Sequence, residues 1–213
     1  MKFNNATEAF EKIYELIHKD GYEQGNTKSL FNLGFVIENP LDRVIKTEFR
    51  NFNKEYAEFE WQWYLSANPN AKEIAKKAKI WYDCMDDNGN VNSNYGYQWS
   101  RGNQLDYVIK ELYKNPNSRR ASISIYDAKD RTNFVNDTPC TYAINFRIIE
   151  NKLNMSVMMR SNDLWYGFGN DQYCFSKLQE LIAGKLNVEI GIYFHFVNDI
   201  HLYKNFLNKN KKK

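Results

Sequence analysis

The amino-acid sequence predicts an α+β fold built as one domain. Strand-like and helix-like segments mix without the regular alternation of a doubly wound sheet. The 213 residues suit one domain with a substantial core and leave little room for a second. No internal repeat or low-complexity linker divides the chain, so the expected organisation is a single domain over residues 1–207 and a basic tail over 208–213.

The elements follow in order. Phe10, Ile13 and Ile17 recur at helical spacing, with Asn5 and Glu8 as a starting cap and Gly21 as the stop. Residues 29–37 read as a strand. Tyr56, Phe59 and Trp63 mark a second amphipathic helix, and residues 71–80 a third, more basic one. A helix over 104–114 carries Leu105, Val108, Ile109 and Leu112 on one face and stops at the turn Asn115-Pro116-Asn117. Strand-like runs follow at 121–126, 142–149 and 153–159, and the short polar turn Glu150-Asn151-Lys152 makes a hairpin of the last two. A helix over 171–186 and a long strand over 188–197 complete the prediction.

Composition narrows the function classes. Aromatic residues make up 16% of the chain, with 15 Tyr and 5 Trp. Most of these rings belong to a core, since a pocket stacking a planar ligand needs only one or two. The formal charge of +3 is more than accounted for by Lys209, Lys211, Lys212 and Lys213. Such a tail is ordinarily a solvated end, and without a basic stripe in the body no direct nucleic-acid binding is expected. Three widely spaced cysteines, Cys84, Cys140 and Cys174, argue against a disulfide framework and, with no CxxC, against a zinc site. The N-terminus lacks the apolar run of a signal peptide and no membrane span is predicted, so a cytoplasmic protein with reduced thiols is expected.

Cys140 is the thiol of most interest, because it follows Pro139 directly at the start of a predicted strand. Buried cysteines are usually inert, and a reactive one needs cations to hold its thiolate. Arg119 with Arg120, and Arg160, could supply them. Paired arginines also grip phosphate, the guanidinium fork matching its oxygens. For each arginine, a solvated surface charge is the competing reading.

Five segments in order carry a resemblance: Asn94-Tyr95-Gly96-Tyr97-Gln98-Trp99, Asn115-Pro116-Asn117-Ser118-Arg119-Arg120, Pro139-Cys140, Arg160-Ser161-Asn162-Asp163 and Asp199-Ile200-His201-Leu202-Tyr203. With Glu60-Trp61-Gln62-Trp63-Tyr64-Leu65 and Ile80-Trp81 upstream, the chain resembles thymidylate synthases over roughly residues 25–207. The resemblance implies a mixed β-sheet packed by helices and a sheet-to-sheet homodimer. It also implies a pyrimidine nucleoside monophosphate as substrate, 5,10-methylenetetrahydrofolate as one-carbon donor, and no metal. In the family's pattern, Cys140 adds to C6 of the pyrimidine and makes C5 able to attack the one-carbon unit. Arg160 and Ser161 match the phosphate-binding pair, with Arg160 close enough to lower the thiol's pKa. Arg119 and Arg120 match arginines that a partner subunit lends to the same phosphate, so that each site is shared. Glu60 resembles the carboxylate that organises water and proton transfers. His201 and Tyr203 match the pair on the sugar hydroxyl, while Trp81, Asp163 and Gly167 fall where the family contacts folate.

Asp171 departs from the family. Synthases carry asparagine there, eleven residues after the motif arginine, to read uracil. Cytosine presents the opposite pattern, an acceptor at N3 and a donor at N4. A carboxyl group accepts from N4 and, when it holds a proton, donates to N3. An unpaired buried polar group costs ~1–3 kcal/mol, so one residue sets the preference. Two competing readings stay open: Asp171 as the cap of the helix beginning there, and a one-residue shift of register that would make Asn170 the base-reading residue. The stretch from Arg160 to Asp171 resembles phage-type deoxycytidylate hydroxymethylases more closely than synthases, as does Asn92-Ser93-Asn94-Tyr95-Gly96. Such enzymes finish by adding water, not hydride, to an exocyclic methylene, and their products feed modified DNA synthesis, which suggests a phage source and the host cytoplasm as location.

Other departures bear on the choice. Thr141 replaces the histidine after the nucleophile, Met159 the glutamine before the arginine, and Cys84 a second tryptophan, a less aromatic wall that could admit water. Tyr22 stands where an arginine completes the phosphate site, with Lys19 as the candidate substitute. The sequence ends ten residues after Tyr203, where synthases continue and close the site. A wetter intermediate, favouring hydration, or weakened folate binding is the expectation. The resulting first choice is 5-hydroxymethylation of dCMP. The alternatives are a pyrimidine nucleotide C5 methyltransferase acting on dCMP, CMP or dUMP, and a nucleotide-binding homologue without turnover.

Overall fold

The computed structural model describes residues 1–129 and 136–209. Helix α1 (Ala6–Asp20) starts where the sequence predicts: the Asn5 side chain accepts from the Glu8 backbone N–H at 3.0 Å, and the Glu8 carboxylate from the Asn4 N–H at 2.7 Å. Gly21 ends it for lack of room. Its φ is an ordinary −70°, but a Cβ there would lie 2.6 Å from the Ile17 carbonyl oxygen.

Strands β1 (Lys2–Phe3), β2 (Tyr22–Gln24), β3 (Thr27–Ile37), β4 (Ser122–Ser124), β5 (Thr141–Ile149), β6 (Lys152–Met159), β7 (Asn162–Asp163) and β8 (Glu189–Tyr203) form one mixed sheet. Its order is β1-β3-β8-β6-β5-β4, with β2 added to β3 and β7 to β8. β3 and β8 run antiparallel, β8 and β6 parallel, β6 and β5 antiparallel. The predicted β5–β6 hairpin turns through Glu150 and Asn151, both at positive φ, the geometry that matches the strands' twist.

The period of two divides the sheet's faces. Phe35, Ile37, Val157, Tyr193, His195 and Val197 are buried beneath α1 and α7 (Gly167–Leu186), in one core with Phe10, Ile13, Phe168 and Phe175. Each such fully buried apolar side chain contributes about 1.5–3 kcal/mol. Val36, Met158, Phe194 and Phe196 point to the opposite face and are only partly buried.

Helix α2 (Lys54–Leu65) buries two faces rather than the single stripe predicted. Tyr56, Phe59 and Trp63 pack on a small cluster of Ala71, Ile74 and Val91, while Ala57, Trp61 and Tyr64 enter the main core. Glu60, between the two, is only 4% exposed. The helix predicted at 71–80 is instead two short pieces, α3 (Lys72–Ala75) and α4 (Ile80–Cys84). Ala71, Ile74 and Ala75 anchor one turn, and the polar run after them has no apolar stripe to extend it. Helix α5 (Tyr95–Ser100), which periodicity does not reveal, is capped by Asn94 accepting from the Tyr97 N–H at 2.7 Å. Helix α6 (Gln104–Lys114) has the predicted bounds.

Two boundaries move. Helix α7 begins four residues before the predicted 171, because Asp163 Oδ1 accepts from the N–H groups of Trp165 (2.7 Å) and Tyr166 (3.2 Å) and turns the chain into it. β8 runs six residues past the predicted 197. Asn198 and Asp199 break its hydrophobic alternation, but pairing with β3 holds it to Tyr203, opposite Thr27. The basic tail predicted at 208–213 lies mostly outside the described residues. No helix among the described residues is long and apolar enough to cross a membrane.

Candidate active site

The hairpin of β5 and β6 puts the thiol beside an arginine. Cys140 immediately precedes β5 and Arg160 immediately follows β6; Thr141 pairs with Met159, and the Arg160 N–H donates to the Cys140 carbonyl at 2.7 Å. The guanidinium is held from behind: Nη2 donates to the Thr138 carbonyl at 2.7 Å, and Nε to the Pro139 carbonyl at 3.2 Å and the Tyr126 hydroxyl at 3.1 Å. Nη2 stands 3.7 Å from Cys140 Sγ. Arg160 itself remains exposed, open to an anion.

The arginine pulls the thiol's pKa down as expected, but burial outweighs it. Burial raises Cys140 to about 11, Arg160 opposes it, and Asp171 and Asp137 push the same way as burial. In this single chain the thiol is protonated at neutral pH. Of the other two cysteines, Cys174 is sealed in the core, and Cys84, also raised to about 11, has burial, Asp137 and Asp83 as its causes and no cation opposing them.

A second group of side chains faces Cys140 from α2 and α7. Burial raises Glu60 to about 8, reinforced by the nearby Asp171 carboxylate and opposed by hydrogen bonds from Tyr56 and Tyr64. The Tyr56 hydroxyl donates to Glu60 Oε1 at 3.1 Å and accepts from Trp81 Nε1 at 2.9 Å, so Trp81 reaches the carboxyl through one tyrosine. Burial likewise raises Asp171 to about 7, against a hydrogen bond from Asn162 and with help from Asp163. Asn162 Nδ2 donates to Asp171 Oδ2 at 2.7 Å. Gly167 fits between them: a Cβ there would lie 3.0 Å from Asn162 Nδ2 and 3.3 Å from Asp171 Oδ2.

The two competing readings of Asp171 can be weighed here. α7 is already under way at Gly167, so Asp171 lies in its second turn and is not its cap. Asn170 turns back along the helix, Nδ2 donating to the Tyr166 carbonyl at 3.2 Å. It is Asp171 that acts through space on Cys140, Glu60 and Tyr95.

At the outer end, β7 pairs Asp163 with His201 on β8, and His201 Nδ1 lies 3.1 Å from Asp199 Oδ1. Tyr203 packs edge-on against His201 with 37% of its surface exposed. Ser161 is partly buried between Arg160 and β7. The remaining predicted residues are elsewhere. Arg119 and Arg120 are exposed in the turn between α6 and β4, and among the described residues neither guanidinium has a partner. Tyr22 is 68% exposed on β2 against Phe31, and Lys19 lies in the last turn of α1.

Several side chains at the site were assigned no role by sequence reasoning. Tyr56, one helical turn before Glu60, was detectable from spacing. Tyr95, whose oxygen accepts from the Thr141 N–H at 3.2 Å, and Asn162 lie within quoted motifs. Asp137 had no signal in one sequence. Its carboxylate accepts from Ser93 N and Ser93 Oγ, both at 2.6 Å, and ties the chain before Cys140 to the start of α5. Asp137 also lines a cavity of about 240 Å³ with Cys84, Asp86, Asn92, Tyr97 and Asn136; Cys140 is not in its wall, but Asp137 and Cys84 both act on the thiol through space. A hollow of about 310 Å³ on α1, lined by Glu11, Glu15 and Glu48 among others, contains none of the predicted site residues. Among the described residues no group of three or more His, Cys, Asp or Glu side chains could hold a metal ion.

Comparison with known proteins shows the family. The profile of the family described as thymidylate synthase matches residues 10–213. The chain is 33% identical over 193 residues to the deoxycytidylate 5-hydroxymethyltransferase of Enterobacteria phage T4, covering 83% of this chain and 76% of that protein. The match to the protein of the same name in phage T6 is equal. It is 27% identical over 224 residues to a thymidylate synthase of Fusobacterium nucleatum, covering 94% of this chain and 81% of that protein.

Proposed function

Since the chain belongs to the thymidylate synthase family of one-carbon transferases, we propose that it converts dCMP to 5-hydroxymethyl-dCMP with methylenetetrahydrofolate as donor. The observation that carries the choice of base is Asp171: a carboxyl whose pKa of about 7 lets it hold a proton near neutral pH, on the same side as Cys140 and Glu60. Protonated, it donates to N3 of cytosine and accepts from the N4 amino group. The named similarity to phage deoxycytidylate 5-hydroxymethyltransferases supports the same base, and a phage origin places the reaction in the host cytoplasm.

In this reading the Cys140 thiolate adds to C6. C5 attacks the methylene carbon of the folate, loses its proton and expels tetrahydrofolate, leaving an exocyclic methylene on the ring. Water adds to that carbon, and expulsion of the thiolate from C6 restores the aromatic base. Glu60, with a pKa of about 8, exchanges the protons these steps need close to neutral pH. The cavity at Cys84 and Asp137, two groups that act on the Cys140 thiol through space, supports hydration by offering water-compatible surface near it. Trp81, Asp163 and Gly167 flank the folate; Arg160 and Ser161 take the phosphate, and His201 with Tyr203 the sugar hydroxyl.

The chain acts as a homodimer with shared sites. Arg119 and Arg120, exposed and without partners among the described residues, complete the phosphate grip of the other subunit, and the partly exposed apolar face around Val36, Phe194 and Phe196 is the surface on which the sheets meet. Added positive charge at the thiol is also what its raised pKa calls for. Incubation with methylenetetrahydrofolate and either dCMP or dUMP, with the product identified by mass spectrometry, tests the proposal. It predicts 5-hydroxymethyl-dCMP, and a methylated base as main product from either nucleotide contradicts it.

A further inference from the structure

A neutral carboxylic acid is an ambiguous reader of pyrimidines. With the proton on one oxygen it donates to N3 and accepts from N4, which fits cytosine. With the proton on the other it accepts from N3–H and donates to O4, which fits uracil equally well. Asp171 alone therefore does not account for a cytosine preference, and something must make its two oxygens unequal.

We infer that Asn162 is that device, a positioning residue whose amide N–H keeps Asp171 Oδ2 the unprotonated oxygen and so places the acid's proton on Oδ1. The inference rests on the reading of Asp171 given above, in which Oδ2 takes the N4 side of the base. Asn162 Nδ2 lies 2.7 Å from Oδ2, and Asn162 is 2% exposed. Among the described residues this is the only hydrogen bond of the amide, whose Oδ1 is buried without a partner. The side chain is thus committed to Asp171 rather than to holding β7. Gly167 leaves the space in which amide and carboxyl meet.

The hydrogen-bond pattern then decides between bases. With cytosine, Oδ2 accepts from both Asn162 and N4–H while Oδ1–H donates to N3, and every group is satisfied. With uracil the proton must move to Oδ2 to reach O4, and a hydroxyl oxygen is a much poorer acceptor for the Asn162 N–H. Reversing the amide does not help uracil: Oδ2–H has one proton, and giving it to Asn162 Oδ1 leaves O4 facing a lone pair. Either arrangement weakens one buried hydrogen bond for uracil only, which amounts to about tenfold in kcat/KM.

The test measures kcat/KM for dCMP and dUMP, read as release of tritium from C5, in the full-length wild type and in the Asn162→Ala, Asn162→Ser, Asp171→Asn and double Asn162→Ala/Asp171→Asn variants. Asn162→Ala should lower the dCMP:dUMP ratio about tenfold, with Asn162→Ser, which keeps a donor, between it and the wild type. In the Asp171→Asn background the same alanine should leave the ratio unmoved, since no acid proton remains to be placed. A merely structural role would depress both substrates alike. A dCMP-preferring wild type whose ratio survives Asn162→Ala, or Asn162→Ser where the alanine variant does not fold, overturns the inference alone. A wild type without preference for dCMP overturns the reading of Asp171 and this inference with it.

Discussion

The two ends of the cleft are built differently. Around Glu60, Asp171 and Asn162 the chain supplies the surroundings itself: α2 and α7 bury the carboxyls, Tyr56 hydrogen-bonds Glu60 and Asn162 hydrogen-bonds Asp171, and burial raises Glu60 to about 8 and Asp171 to about 7. Around Cys140 and Arg160 the geometry is fixed by the β5–β6 hairpin, but the electrostatics are unfinished. The exposed Arg160 faces a thiol that burial has raised to about 11, while the Arg119 and Arg120 guanidiniums have no partner among the described residues and lie elsewhere on the surface. In the proposed reading, base recognition belongs to the folded chain, whereas nucleophile activation and phosphate grip wait on the dimer.

The largest effects should come from the unfinished end. Cys140→Ser should lower turnover by at least roughly 10⁴-fold, and the double variant Arg119→Ala/Arg120→Ala should lose most activity as well. Mixed under conditions that exchange subunits, these two inactive proteins should recover about a quarter of wild-type activity, because half the dimers are mixed and each holds one intact site. No recovery in demonstrably mixed dimers would separate the arginines from the partner's site and break the comparison.

At the finished end the effect should be on choice rather than on rate alone. Asp171→Asn should move the dCMP:dUMP ratio of kcat/KM toward dUMP by about tenfold, because an amide can present either end to the base and Asn162 no longer makes the two ends unequal. Steady-state kinetics on both nucleotides measure it. An equal loss on both would make Asp171 structural.

The smallest effect concerns stability. Glu60 and Asp171 have folded-state pKa values above their unfolded ones, so the stability they lend is full below about pH 4 and is lost as pH rises through 7 to 8. The ligand-free melting temperature should therefore fall between pH 5.5 and 8.5, and Glu60→Gln should flatten that decline. An unchanged slope in Glu60→Gln would mean that the carboxyl is not held protonated.

This contrast also explains what the sequence made legible. Helix α6 and the β5–β6 hairpin were readable because period and turn chemistry agree locally. Cys140 and Arg160 lie in ordered motifs, so their roles could be named without geometry. What one chain's residue order cannot express is competition between burial and charge. The arginine was foreseen as lowering the Cys140 pKa, yet desolvation outweighs it. Helix α7 starts before the predicted 171 because Asp163 turns the chain into it, an interaction between side chain and backbone that periodicity does not carry. Asn162 carried no assigned role in its motif, because its partner Asp171 lies nine residues on and meets its amide only in the fold.

The most direct test of the central claim is a crystal structure of the protein bound to dCMP. The account predicts the Asp171 carboxyl in hydrogen-bonding contact with both N3 and the N4 amino group, Asn162 on its Oδ2, and C6 facing Cys140 Sγ. A base whose N3 and N4 meet other groups, with Asp171 turned aside, would contradict it.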